Sequence, residues 1–232
     1  MRASRHLWTT VPLALSLVLI PLTVALAFWW TGEDADQGLS QKIFYFHVPI
    51  ALTSYAAFGF GAFSAAMYLW KRTDDWDLRS YVGVHSGTIF GTLVLITGPL
   101  WAKASWGVWW NWGDRQLNVF LILFLYYCAY FMLRFSLDEG ERRRSASAVF
   151  ALLGVGLIPM SFLAVRIAQT LIHPTVFTTG GAAMPGSFLL TFLVGLAGML
   201  SLMTLLMAVE LRGKRAAARV LHLQRVALGD DA

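Results

Sequence analysis

Six windows of the chain are long enough to cross a bilayer and almost free of Asp, Glu, Lys and Arg: residues 11–30, 48–70, 80–100, 117–133, 145–172 and 187–209, with Arg166 the single charge inside the fifth. A helix needs about 20 mainly apolar residues to span a hydrocarbon core about 30 Å thick, so each window reads as one membrane crossing. Composition agrees: 57% of the 232 residues are hydrophobic, 13% are charged, and the mean hydropathy is +0.61. The fold class expected is an all-α integral membrane protein, with residues 1–232 forming one six-helix membrane domain and no segment left for a second, soluble one.

The first window also has features of a cleavable signal peptide: Arg2 and Arg5 at its start, then an apolar run and Ala25-Leu26-Ala27. A retained helix is the better reading. The run exceeds the usual apolar segment of about 7–15 residues, and Trp29-Trp30 closes it as an interfacial pair does.

Positive charge sets the expected orientation, because cytoplasmic loops retain Lys and Arg. Fourteen such residues fall on one side of the six spans: Arg2, Arg5, Lys71, Arg72, Arg79, Arg134, Arg142, Arg143, Arg144, Arg212, Lys214, Arg215, Arg219 and Arg225. Only Lys42, Lys103 and Arg115 fall on the other. Both termini are therefore expected in the cytoplasm and the third-to-fourth connection outside, in a multi-pass protein of the plasma (inner) membrane. The net charge of +5 records this topology and is no nucleic-acid footprint; the basic patches are expected to lie against anionic lipid. The tail after Arg212 reads as a short amphipathic or frayed end. Cys128 is the sole cysteine, so the chain is neither a thiol-disulfide oxidoreductase nor a covalent c-type cytochrome, which would need Cys-x-x-Cys-His.

The longer, outside connections, residues 31–46, 101–116 and 173–186, are where function is expected. Gly83, Gly87 and Gly91 recur every four residues and predict a helix face that a neighbouring backbone approaches closely. Pro49 stands where a helix can begin, and Pro159 is expected to kink the fifth span.

Five of the ten tryptophans crowd into the outside run WAKASWGVWWNWGDRQ: Trp101, Trp106, Trp109, Trp110 and Trp112. One or two would serve as interfacial anchors; five suggest a flat binding platform. On helical spacing Trp106, Trp109 and Trp110 share a face, with Gly107 and Gly113 leaving room for a planar ligand. Lys103 and Arg115 bracket the run and suit the carboxylates at one edge of a porphyrin; Arg166 fits either that role or a snorkelling anchor. His47, in FHVP, precedes the second span and His173, in LIHP, follows the fifth, which places both at one membrane level. Two roles fit them on spacing alone: caps of helix ends, or axial ligands of a heme iron flanking the aromatic loop. His85 lies inside the third span, where a hydrogen bond to a neighbouring helix accounts for it; His6 and His222 sit in basic tails.

The segment WGVWWNWGDR resembles the tryptophan-rich WWD motif of heme-handling proteins. The whole chain is similar to the heme exporter protein C family (CcmC, with the related CcsA proteins) of cytochrome c biogenesis, matching in six spans, an HVP after the first outside loop and a TL-H at the end of the fifth span. The resemblance implies that His47 and His173 are axial ligands, that Trp106, Trp109, Trp110, Trp112 and Arg115 form a heme platform and propionate contact with Asp114 beside them, and that the cofactor is non-covalent, transferable heme b. It further implies a non-enzymatic role, presenting heme outside the membrane to a heme chaperone beside the ATPase and membrane subunits of an ABC transporter. The chain departs from the family pattern in Trp112-Gly113-Asp114-Arg115, which moves the carboxylate by one position, in TLIH, which moves the histidine by one, and in Ile167-Ala168, where aromatic residues commonly stand. No Walker motif is present, so ATP hydrolysis falls to a partner. A second reading from another class is a transport or docking subunit that holds no heme and uses the tryptophan loop to bind a periplasmic protein. A channel or solute carrier fits poorly, because the spans lack paired charges along a path.

Overall fold

The computed structural model describes residues 2–167, 177–178, 181–182 and 184–228. Six of its helices are long and apolar enough to cross a membrane, as the windows predict. Helix α1 (Arg2–Ala25) runs into a π-helical turn, Leu26–Trp30. After a short loop, a 3-10 turn (Leu39–Ile43) feeds α2 (Phe44–Lys71). Then follow α3 (Asp74–Trp106), α4 (Arg115–Ser136), α5 (Glu141–Val155), α6 (Leu157–Ile167), a two-residue hairpin of β1 (Phe177–Thr178) with β2 (Gly181–Ala182), and α7 (Gly186–Leu228).

Several expectations are adjusted. The fifth span breaks at Gly156, between α5 and α6, because Pro159 has no N–H to give the Val155 carbonyl four residues earlier. The expected kink is thus a change of helix. Pro49 does not open α2 but lies inside it, since the 3-10 turn brings the helix start back to Phe44. Pro99 likewise lies inside α3. The end of α7 is not frayed: the helix continues unbroken to Leu228.

Lipid tails are as apolar as leucine, so helices associate in a bilayer by close packing and hydrogen bonds. The central pair, α2 and α3, shows this. A Cβ built on Gly83 would lie 2.6 Å from the Gly61 main chain, and one on Gly87 would lie 2.4 Å from the Phe58 ring. The glycine stripe therefore admits a backbone at Gly83 and aromatic rings at Gly87 and, from Phe124, at Gly91. Phe58 in turn stacks on Tyr127 of α4, centroids 3.9 Å apart, at the heart of the core.

One end of the bundle carries the basic residues, yet several of these do not simply face lipid. The three aspartates in the first turn of α3 suit a helix N-terminus and collect arginines. Asp77 takes both nitrogens of Arg134 at 2.8 and 2.7 Å, a buried bidentate pair joining α3 to α4. Asp75 binds Arg79 and Arg215, and Asp74 binds Arg144. His85 does bond to a neighbouring helix: Nδ1 lies 2.9 and 3.0 Å from the carboxylate oxygens of Glu210 on α7.

Candidate functional site

The other end of the bundle carries the tryptophans. Its geometry begins just past α1 and its π-helical turn, where the main-chain carbonyls of Thr31 and Gly32 face an ammonium. Lys42 is 5% exposed, and its Nζ donates to Thr31 O (2.8 Å), Thr31 Oγ1 (2.8 Å) and Gly32 O (2.6 Å). A lysine has three donors, and all three are used. A cation at a helix C-terminus also complements the helix dipole. Lys42 thereby ties the end of the first span to the run-in of α2, and His47 follows five residues later in the first turns of that helix.

His47 is 9% exposed and packs against the last third of α3. Its Nδ1 lies 2.7 Å from Thr97 Oγ1. A Cβ on Gly98 would stand 3.2 Å from the ring's Cε1, so glycine at 98 is what lets the imidazole come so near the α3 main chain. Trp101 meets the ring edge-on, centroids 5.6 Å apart, and Trp106 lies 5.8 Å beyond Trp101. Trp101 is 5% exposed, and its indole N–H donates to Gln37 Oε1 at 3.0 Å. Ser40 and Ser105 join the same two segments at 2.8 Å. The first loop is thus fastened to α3 at two points.

Helix α3 ends at Trp106, and Gly107 (φ 75°) turns the chain out of it in the left-handed region. The Lys103 ammonium donates to the Gly107 carbonyl at 2.9 Å. Trp106, Trp109 and Trp110 consequently do not share a helical face: Trp109 and Trp110 lie in the irregular segment 107–114, because Gly107 ends the helix before them. That segment is held by its own turn, with Asp114 N donating to Asn111 O and Asn118 Nδ2 to Trp112 O. Trp109 (57% exposed) and Trp112 (73%) project large aromatic faces outward. The Trp110 indole N–H is buried and has no acceptor among the described residues.

Asp114 is buried and caps α4, its Oδ1 accepting from Gln116 N at 2.8 Å and Leu117 N at 3.3 Å. The shifted carboxylate thus has a structural task. Arg115 is exposed in the first turn of α4, where the helix dipole disfavours a cation, and forms no ion pair among the described residues. His173 lies outside the described residues, as do the residues either side of it; Arg166 falls within α6.

The structure therefore brings His47, Trp101, Trp106, the tryptophan loop and Arg115 to one end of the bundle. Sequence reading did not find Thr97, Gly98 or Gln37 as neighbours of His47 or Trp101. Thr97 is 50 residues from His47, and no local spacing reports such a contact.

The sequence matches the family model described as heme exporter protein C over residues 1–226. It is 32% identical over 193 residues to heme exporter protein C of Bradyrhizobium diazoefficiens, covering 83% of this chain and 73% of that one. It is 28% identical over 194 residues to heme exporter protein C of Paracoccus denitrificans, covering 81% and 80%. A putative cytochrome c biosynthesis ccmC-like mitochondrial protein of Marchantia polymorpha is 28% identical over 172 residues, covering 74% and 72%. With six membrane-capable helices and a match across almost its full length, the chain is a multi-pass membrane protein belonging to the heme exporter protein C family.

Proposed function

We propose that this protein binds heme b non-covalently at the tryptophan end of the bundle, on the outer face of the inner membrane, and presents it to a heme chaperone for cytochrome c maturation. Both termini then lie in the cytoplasm, in keeping with the bias of basic residues. The carrying observation is a buried histidine, His47, set edge-on against Trp101, with Trp106 beyond it just before a loop that exposes two further tryptophans.

The residues fit the group. Imidazole is a heme-iron ligand, and His47 supplies one on a well-packed helix. Trp109 and Trp112 offer apolar faces suited to a porphyrin plane, and Trp106 continues the aromatic wall toward His47. The unmatched Trp110 N–H and the exposed Arg115 guanidinium are donors for propionates. Asp114 contributes by fixing the start of α4 and hence the position of Arg115. His173 is the second axial ligand in this reading, on its sequence position alone. Ligation by imidazole without a thioether bond permits release, which transfer requires. The chain carries no ATP-binding motif, so its partners in this reading include the ATPase and membrane subunits of an ABC transporter.

The test is absorption spectroscopy of the purified full-length protein titrated with hemin, oxidised and reduced. Wild type gives a Soret band with histidine ligation, and His47→Ala loses most of it. An unchanged heme content and spectrum in His47→Ala overturns the ligand assignment. A wild-type protein that takes up no heme at all instead supports a loop that docks a protein partner.

A further inference from the structure

We propose that Thr97 is a positioning residue for His47: its hydroxyl fixes the imidazole tautomer and so decides which ring nitrogen is presented to iron. The inference rests on the heme reading given above. Thr97 Oγ1 lies 2.8 Å from Leu93 O, one turn back on α3, and 2.7 Å from His47 Nδ1. A hydroxyl has one hydrogen and two lone pairs, whereas a carbonyl only accepts. The hydrogen therefore goes to Leu93, and in the contact with histidine the oxygen accepts while Nδ1–H donates. A neutral imidazole carries one such hydrogen, so Nε2 keeps its lone pair, the form in which the ring binds a metal.

Ligating histidines are held in this manner elsewhere, one ring nitrogen donating to an oxygen while the other meets the metal, which fixes the ring and raises its basicity. Here the oxygen is an uncharged hydroxyl within a membrane span. A carboxylate in its place would strengthen the ligand and make the buried site retain its cargo. A threonine orients the ring while adding little electron density, which suits a site that must give heme up.

Gly98 supplies the steric half of the device. A Cβ there would stand 3.2 Å from Cε1 and 3.9 Å from Nε2, so it would crowd the edge of the ring that carries the ligating nitrogen. Trp101, one turn further along α3, bounds the ring on another side. Residues 97, 98 and 101 of a single helix thus set the proton, the clearance and the tilt of one imidazole.

Full-length protein in detergent or nanodiscs is titrated with hemin, and the tautomer of His47 is read in the heme-free protein from its ring ¹⁵N resonances. Thr97→Val keeps the shape and removes the hydroxyl. It is expected to weaken heme binding about tenfold or more and to lower the Nδ1–H population of His47. Thr97→Ser is expected to match wild type in both. Gly98→Ala is expected to weaken binding while leaving the tautomer unchanged. Wild-type affinity and tautomer in Thr97→Val, alongside loss of the Soret band in His47→Ala, overturn the inference and leave the heme reading standing. If His47→Ala keeps its heme with an unchanged spectrum, the ligand assignment of His47 fails and this inference falls with it, and the ¹⁵N resonances of Thr97→Val then decide only whether Thr97 sets the tautomer.

Discussion

Replacing Lys42 by methionine is a severe test of how the site is held. The side chain keeps nearly the same length and apolar stem, but three hydrogen bonds from the ammonium to Thr31 and Gly32 disappear. Hydrogen bonds to a charged group contribute about 1.5–3 kcal/mol each, so the gross loss is about 4.5–9 kcal/mol. Against this, the variant no longer takes an ammonium out of water, which recovers several kcal/mol. The acceptors stay behind without their donor, so the two effects do not cancel, and a net loss of about 2–4 kcal/mol follows. For a chain of this size each kcal/mol moves the unfolding midpoint by about 2–4 °C, giving a fall of about 5–15 °C. Thermal scanning of detergent-solubilised protein by tryptophan fluorescence measures it, with Trp29 and Trp30 immediately beside the staple as reporters. Lys42→Arg retains the charge but must fit a broader fork into the same buried space, and should fall between the two. A midpoint for Lys42→Met within about 1 °C of wild type would refute the reasoning, because it would mean that the ammonium contributes nothing to anchoring the run-in of α2.

Two further outcomes follow from the packing and the capping. Gly83→Ala places a methyl 2.6 Å from main-chain atoms of Gly61, which have no side chain to yield, and should destabilise by about 1–3 kcal/mol in a chemical or thermal unfolding assay; Gly59→Ala, with open space around it, should be neutral or gain up to about 1 kcal/mol from helix propensity. Asp114→Ala should cost about 1 kcal/mol through the lost cap of α4, while Asp114→Asn, which keeps an accepting oxygen, should retain both stability and hemin affinity; a selective fall in hemin affinity for the Asn variant would show that the charge itself touches the ligand.

The six spans were legible because charge is so costly in hydrocarbon that its absence over 17 or more residues marks a crossing. Their ends were not. Apolar windows report the solvent a segment tolerates, whereas helices stop where hydrogen bonding stops, so α7 carries on through the Ala- and Arg-rich run to Leu228, residues with high helix propensity. The tryptophan run was found by composition alone, but the shared face assigned to Trp106, Trp109 and Trp110 failed because one glycine ends α3 before the pattern completes. Lys42 looked like one of three stray outside charges and is a buried staple. His85 was expected to bond a neighbouring helix, yet its carboxylate partner lies 125 residues away and just past the apolar window of α7, where nothing in local spacing points to it. The same applies to Thr97 and His47: long-range pairs between helices are decided by how the bundle packs, which a one-dimensional pattern does not contain.

Pro99 lies within the candidate site, on the helix that builds most of it. A proline inside a helix removes one main-chain hydrogen bond and weakens the rod locally, so bending costs least there. The missing bond would run from residue 99 to the Leu95 carbonyl, so Thr97 and Gly98, which seat the histidine, lie inside the loosened turn, and Trp101 and Trp106 lie beyond it. Bending of α3 there accordingly shifts Trp101 and Trp106 relative to the start of the helix and disturbs the seat of the imidazole in the same movement, so that the softest turn of α3 and the socket of His47 are one place.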